Sequence, residues 1–241
     1  MIPLKDDTPR VHTPYAVILV ILANVAVHFF INSLPPYARE NFYQVFGVAP
    51  ARYFFADVAS LGDFPPLAII PLFSYMFLHT GWWHLIMNMW MLWIFADNIE
   101  DVMGPLRFLA FYLLCGLSAL GLHMYFNMTA TEPIIGASGA VAGVMGGYVL
   151  LYPRGKVLTF IPIIIIPYLV RLPAWLFLGF WFLTQMFSGL FEQLSGMAQG
   201  IAWWAHVGGF LAGMVLVRLF MKPERCYYCE YKGLKGNFRF S

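Results

Sequence analysis

The chain has 241 residues, of which 61% are hydrophobic and only 11% charged. Soluble domains carry roughly a quarter charged residues, so water is the wrong solvent for most of this sequence. A net charge of +2 excludes a nucleic-acid footprint, and three cysteines are too few for a disulfide framework.

In hydrocarbon a backbone must satisfy its own polar groups, which predicts an all-α fold, a polytopic bundle of transmembrane helices. Residues 1–13 form an arm carrying Lys5 and Arg10. The apolar run after it resembles a signal peptide without a small-residue cleavage site, so it is expected to stay as a first span. A helix needs about 20 residues to cross a core of ~30 Å. On that measure six spans are expected: 14–31, 81–96 with its flanks, 106–125, the short 138–151, 173–190 opening on Pro173, and 199 or 200 to 221. Residues 157–170 are apolar too, but Pro162 and Pro167 interrupt them, which predicts a connecting loop lying against the membrane. In the long first connection, 32–80, aromatic and polar residues alternate over 41–46, as in a segment lying in the interface. The tail, 222–241, holds a CxxC, Cys226 and Cys229, without the second pair that a structural zinc site needs. A weakly ordered tail is expected there, rather than a metal clip shared between chains.

An even number of spans puts both termini on one side. Lys5, Arg10, Arg107, Arg154, Lys156, Arg171, Arg218, Lys222, Arg225, Lys232, Lys235 and Arg239 fall on that side, and only Arg39 and Arg52 on the other. Positive charge is retained in the cytoplasm, so both termini are expected there, with the six-span domain at 14–221 between them.

Strongly polar residues inside spans are costly and default to a functional reading. His84 and Asn88 share a face at the outer end of the second span, Ser138 begins the fourth, and His206 lies near the outer end of the sixth. At 1.5 Å per residue, both histidines sit roughly 6–9 Å below the outer surface. The short fourth span leaves Ser138 at a similar level. Ser138, Ala142 and Gly146 make one small-residue face, and His206, Gly209 and Gly213 another, so the two helices are expected to pack closely there.

These residues resemble the rhomboid family of intramembrane serine proteases, of the bacterial, six-span type. His79-x4-His84-x3-Asn88 is similar to the family's second-span signature. Gly136-Ala137-Ser138-Gly139 matches its GxSG motif, and Ala205-His206-Val207-Gly208-Gly209, with Gly213 beyond, its last-span histidine motif. Asn98-x-Glu100-x3-Gly104-x2-Arg107-Phe108 looks like its second-to-third connection. The resemblance covers residues 14–221. It implies Ser138 as nucleophile and His206 as general base, with the Ser138 N–H, His84 and Asn88 as oxyanion donors. Supporting roles then fall to His79 (as a structural hydrogen-bonding residue), Gly136, Gly139, Glu100, Gly209 and Gly213. Two positions depart from the pattern. Ala142 stands where some members stack an aromatic on the histidine, and Ile70-Pro71 aligns with a Trp-Arg pair. The resemblance further implies transmembrane protein substrates reached laterally beside the fifth span, no cofactor or metal, and residence in a bacterial inner (cell) membrane. Oligomeric state stays open.

A three-histidine metal enzyme built on His79, His84 and His206 would need a different donor set, since HExxH is absent and no carboxylate lies at that depth. A transporter would show an internal repeat or an intramembrane charge pair. A non-cleaving rhomboid-like binder of transmembrane helices remains the alternative, although such proteins normally lose the serine or histidine kept here.

Overall fold

The computed structural model describes residues 1–55, 57, 69–163, 166–196 and 200–230. Seven helices of ten or more residues follow one another there: α1 (Tyr15–Ser33), α2 (Pro36–Phe46), α3 (Trp82–Met103), α4 (Pro105–Phe126), α5 (Ser138–Leu151), α6 (Ala174–Ser195) and α7 (Trp203–Phe220). By length and composition α1, α4, α6 and α7 can each cross a membrane. α5 is apolar but short, at 14 residues. α3 is long, at 22 residues, and runs past its apolar stretch into Asp97, Glu100 and Asp101. Expected and observed helices agree closely, and α5 begins and ends where its span was drawn. The segment at 41–46 belongs to α2, whose Tyr43 hydroxyl donates to the His79 carbonyl at 2.9 Å.

At the centre lies α5, buried from Gly139 to Tyr148 and packed against α3, α4, α6 and α7. Its closest partner is α7. A Cβ on Gly209 would collide with the Gly139 carbonyl oxygen, and one on Gly213 with that of Gly143. On the other side, a Cβ on Gly146 would strike the Phe210 carbonyl. Backbone therefore meets backbone, which only glycine permits. The face of α5 in contact is Gly139–Gly143–Gly146, one residue round from the expected Ser138–Ala142–Gly146. That shift follows from geometry: the smallest groups sit where the axes come nearest, and Ser138 and Ala142 stand beside the seam.

The run at 157–170 is a correction. It is no loop but part of an antiparallel hairpin of β2 (Lys156–Ile163) and β3 (Ile166–Pro173). β1 (Ile2–Asp6), from the N-terminal arm, adds to β2 with Ile2 opposite Phe160 and Asp6 opposite Val157. Val157, Thr159, Ile161 and Val170 are β-branched and suit a strand. The prolines that forbid a helix fall near the joined end, where Pro162 faces Pro167. β2 and β3 are neighbours in sequence, but β1 comes from about 150 residues away, so no local pattern announced the third strand. An open sheet edge is untenable in hydrocarbon, which puts this sheet at the aqueous end of the bundle.

At the same end, two adjacent carboxylates hold the arm in place. Buried Glu100 accepts the N–H groups of Ala16 at 3.0 Å and Val17 at 2.8 Å. Tyr15 N–H reaches Thr13 O and Ile18 N–H reaches Pro14 O, so the whole first turn of α1 is satisfied. Asp101 accepts Val11 N–H at 2.7 Å and His12 N–H at 2.9 Å, and its Oδ1 lies 2.6 Å from His12 Nδ1. Tyr148 of α5 donates to Asp6 at 2.7 Å, which ties the arm to the central helix. Arg107 Nη1 donates to the Phe220 carbonyl, a cation at the C-terminal end of α7.

The beginning of the tail is the second correction. Lys222 N–H donates to Val102 O, Glu230 N–H donates to Leu151 O, and buried Cys226 is disulfide-bonded to Cys229. Residues 222–230 thus dock on the bundle through their backbone, rather than hanging free. Residues 231–241 lie outside the described residues.

Two stability outcomes follow. Glu100→Ala strands two buried N–H groups, and thermal or denaturant unfolding in detergent should show a loss of about 2–5 kcal/mol, with Glu100→Gln losing less. A loss within ~0.5 kcal/mol would remove the cap from the account of α1. Gly209→Ala should cost about 1–3 kcal/mol, because even a methyl group must part the helices. Val215→Leu, at an exposed position of the same helix, should stay within ~0.5 kcal/mol.

Candidate functional site

Ser138 opens α5, and the residues before it set its place. Gly136 has φ +126°, a conformation that disfavours L side chains, and its N–H donates to Tyr75 O at 2.9 Å. A Cβ there would stand 2.8 Å from His84 Nε2, 2.9 Å from His84 Cε1 and 3.8 Å from Ser138 Oγ. Glycine therefore lets the imidazole lie against the backbone, so that His84 Nε2 and the Ser138 hydroxyl flank one point. The approach to Ser138 is held from outside as well. Val48 and Ile134 exchange backbone hydrogen bonds at 3.1 and 2.9 Å, and Ala51 N–H donates to Ala130 O at 2.9 Å. The first N–H groups of α5, that of Ser138 included, have no partner within the helix, and they carry its partial positive charge.

His84 and Asn88 come from the first two turns of α3. Among the described residues His84 Nδ1 has a long contact with Thr80 Oγ1, at 3.4 Å. Asn88 is buried, and its Nδ2 has no hydrogen-bond partner among the described residues. A buried amide donor left free carries a desolvation cost that an incoming acceptor would relieve. His79 is fully buried, and neither ring nitrogen has a hydrogen-bond partner of good geometry among the described residues. It stands edge-on to His84 with centroids 4.9 Å apart, supporting that imidazole by contact.

His206 lies in the first turn of α7. Its Nδ1 is 2.7 Å from Gln185 Oε1 of α6, and the rings of Trp181 and Trp203 flank it at 5.8 and 6.3 Å. Gly139 and Ala205, the neighbours of Ser138 and His206 in the chain, meet directly: a Cβ on Gly139 would lie 3.5 Å from Ala205 O. The structure records no hydrogen bond between Ser138 Oγ and His206. Catalytic hydrogen bonds are often long before substrate binds and tighten in the complex.

Among the described residues no three His, Cys, Asp or Glu side chains are grouped to hold a metal ion, and His79, His84 and His206 do not form the three-histidine set weighed above. Sequence reasoning passed over three buried polar residues. Asn24 and His28 lie on the inner face of α1, where His28 stands edge-on to Trp82 at 4.6 Å and to His79 at 6.5 Å. Gln185 is the third. The rule that singled out His84 and Asn88 applies equally to these three, because each is strongly polar within an apolar run.

Residues 67–223 match the family described as Rhomboid domain. The chain is 32% identical over 89 residues to "Rhomboid protein 1, mitochondrial" of Saccharomyces cerevisiae, covering 35% of this chain and 26% of that protein. It is 30% identical over 115 residues to "Presenilin-associated rhomboid-like protein, mitochondrial" of Homo sapiens, covering 46% and 29%. To "RHOMBOID-like protein 1" of Arabidopsis thaliana it is 24% identical over 242 residues, covering 92% and 58%. The chain thus spans less than a third of the length of the mitochondrial relatives it matches. The matched region holds α3 to α7, and with them Ser138, His206, His84 and Asn88. On that match and that architecture, the chain belongs to the rhomboid family of multi-pass membrane proteins.

Proposed function

We propose that this chain is an intramembrane serine endopeptidase that cleaves transmembrane segments near the outer face by a Ser138–His206 dyad. The joint placement at the start of α5 carries this reading: His84 and Ser138 flank Gly136, and the adjoining Gly139–Ala205 contact sets the His206 helix beside them. Rhomboid proteins are in general intramembrane proteases, which fits.

The chemistry needs each group. A serine hydroxyl is a weak nucleophile until a positioned base takes its proton. Here the Ser138 Oγ proton passes to His206 Nε2 as Oγ bonds to the scissile carbonyl carbon. The oxygen that gains charge is held by the Ser138 N–H, His84 and the free Asn88 amide, donors that gain strength where water is scarce. His206 then returns the proton to the leaving amine, and a water repeats the sequence on the acyl-enzyme. Substrates are single-span proteins that approach beside α6, the least buried of the four long apolar helices. No cofactor is needed.

Ser138→Ala and His206→Ala should abolish cleavage of a reporter transmembrane peptide while the protein stays inserted. A fluorophosphonate should label Ser138 only when His206 is present. His84→Ala and Asn88→Ala should each lower turnover about 10²- to 10³-fold, the usual cost of losing one oxyanion donor. An inactive wild type that still bound transmembrane helices would favour the non-cleaving reading, and activity abolished by chelators and restored by zinc a metal enzyme.

We further propose that the chain lies in a cell membrane, the inner one in a bacterium, with both termini cytoplasmic. The charge asymmetry and the aqueous position of the sheet that carries Lys5, Lys156 and Arg171 support this. Cysteines introduced at 126–132 should react with an impermeant reagent on intact cells, and those at 154–156 should not. The reverse pattern would invert the topology.

A further inference from the structure

Gln185 is buried, although it lies in a helix otherwise apolar enough to span a membrane. Both ends of its amide are engaged. Oε1 lies 2.7 Å from His206 Nδ1, and Nε2 donates to Thr184 Oγ1 at 3.2 Å. The Thr184 hydroxyl in turn donates to Trp181 O at 2.6 Å. That last bond decides the others. With its only proton spent on Trp181 O, Thr184 Oγ1 can only accept, so the end of the amide facing it must be the NH2. The opposite end, facing His206, must then be the carbonyl oxygen, which can only accept. Nδ1 of a neutral imidazole beside it must carry the proton, and Nε2 is left bare.

We propose that Gln185 is the positioning residue of the dyad: through the chain Trp181 O, Thr184, Gln185, it selects the Nδ1–H tautomer of His206, the form whose Nε2 can take the Ser138 proton. This rests on the serine-protease reading above and deepens it. Gln185 does not touch the reacting atoms. It acts through His206, in the place where soluble triads put a carboxylate. A neutral amide is suited to this site, because it orients the ring without placing a charge in the bilayer. When His206 takes up the Ser138 proton at Nε2, its Nδ1–H bond to Oε1 stays in place and the ring does not turn. Trp181 and Trp203 flank the ring but offer nothing at Nδ1 that distinguishes one tautomer from the other.

The test uses the full chain, purified in detergent and in liposomes, as wild type, Gln185→Leu, Gln185→Glu and Thr184→Val. Three quantities are read: the rate of fluorophosphonate labelling at Ser138, kcat and KM on a reporter peptide, and the 15N spectrum of His206. Melting temperature serves as the folding control. Gln185→Leu should slow labelling and kcat about 10²-fold, within the range set by general-base catalysis, with KM changed less than about twofold. Its His206 signal should shift from Nδ1–H toward a mixture of tautomers. Gln185→Glu, neutral as the protonated acid at this depth, can donate its O–H to Thr184 Oγ1 and accept from His206 Nδ1–H, and should restore the Nδ1–H signal and most of the rate. Thr184→Val frees the amide to flip, and should lower the rate several-fold with a partial shift of the His206 signal from Nδ1–H toward Nε2–H. Wild-type labelling in Gln185→Leu with an unchanged tautomer would overturn the inference while leaving the dyad standing. A slow Leu variant whose rate and spectrum Glu fails to restore would overturn it too, by reducing Gln185 to packing. If wild-type Ser138 were not labelled at all, the dyad and this inference would fall together.

Discussion

The contact between α5 and α7 is made of backbone, and everything else in the bundle is arranged around it. Gly209 lies against the Gly139 carbonyl, Gly213 against that of Gly143, and Gly146 against Phe210. Lipid supplies no hydrophobic force to press helices together, so such a pair is held by close van der Waals contact, and that requires the smallest residues at the seam. The central helix is consequently encased by its neighbours. Ser138 comes from its first residue and His206 from the first turn of its partner, just beyond the last glycine contact. The distance between the two groups is inherited from the glycines.

A rigid seam would be of little use if the ends of the helices were loose. Charges are concentrated at the far end, away from Ser138, where water can solvate what is left unpaired. Glu100 and Asp101 gather the N-terminal arm, β1 extends the hairpin, and Tyr148 ties Asp6 to α5. Bonds from Lys222 and Glu230 bring the first part of the tail to the same place. Strand pairing and carboxylate acceptors together satisfy the backbone N–H groups at this end, as they must where strands and helix termini approach a membrane.

The candidate site is built without Asp, Glu, Lys or Arg: it gathers a hydroxyl, imidazoles, a carboxamide on α3 and another on α6. Unpaired charge at this depth would be expensive, whereas a hydroxyl, an imidazole or an amide costs less and can be satisfied by one or two partners. The same economy explains why some donors stand unsatisfied. Among the described residues Nδ2 of Asn88 has no partner, which is tolerable for a single neutral group on the helix face it shares with His84.

Helix positions and family membership were legible in the sequence because both are written locally. Hydropathy sums over a window of about 20 residues, and the His84-x3-Asn88, Gly136-x-Ser138-Gly139 and Ala205-His206 motifs each lie within a few residues. What only the tertiary structure decided are pairings between distant segments. β1 finds β2 across some 150 residues, and 157–170, whose prolines interrupt an apolar run, read as a connecting loop rather than as strand. Gln185 and His206 meet from two helices, and neither residue's neighbours foretell the bond. The contact face of α5 moved by one residue because small residues fill most of that helix, and composition alone does not select among faces that are nearly alike. Local free energies choose the segments, but the choice of partner belongs to the packing of the whole, where one backbone contact excludes all others.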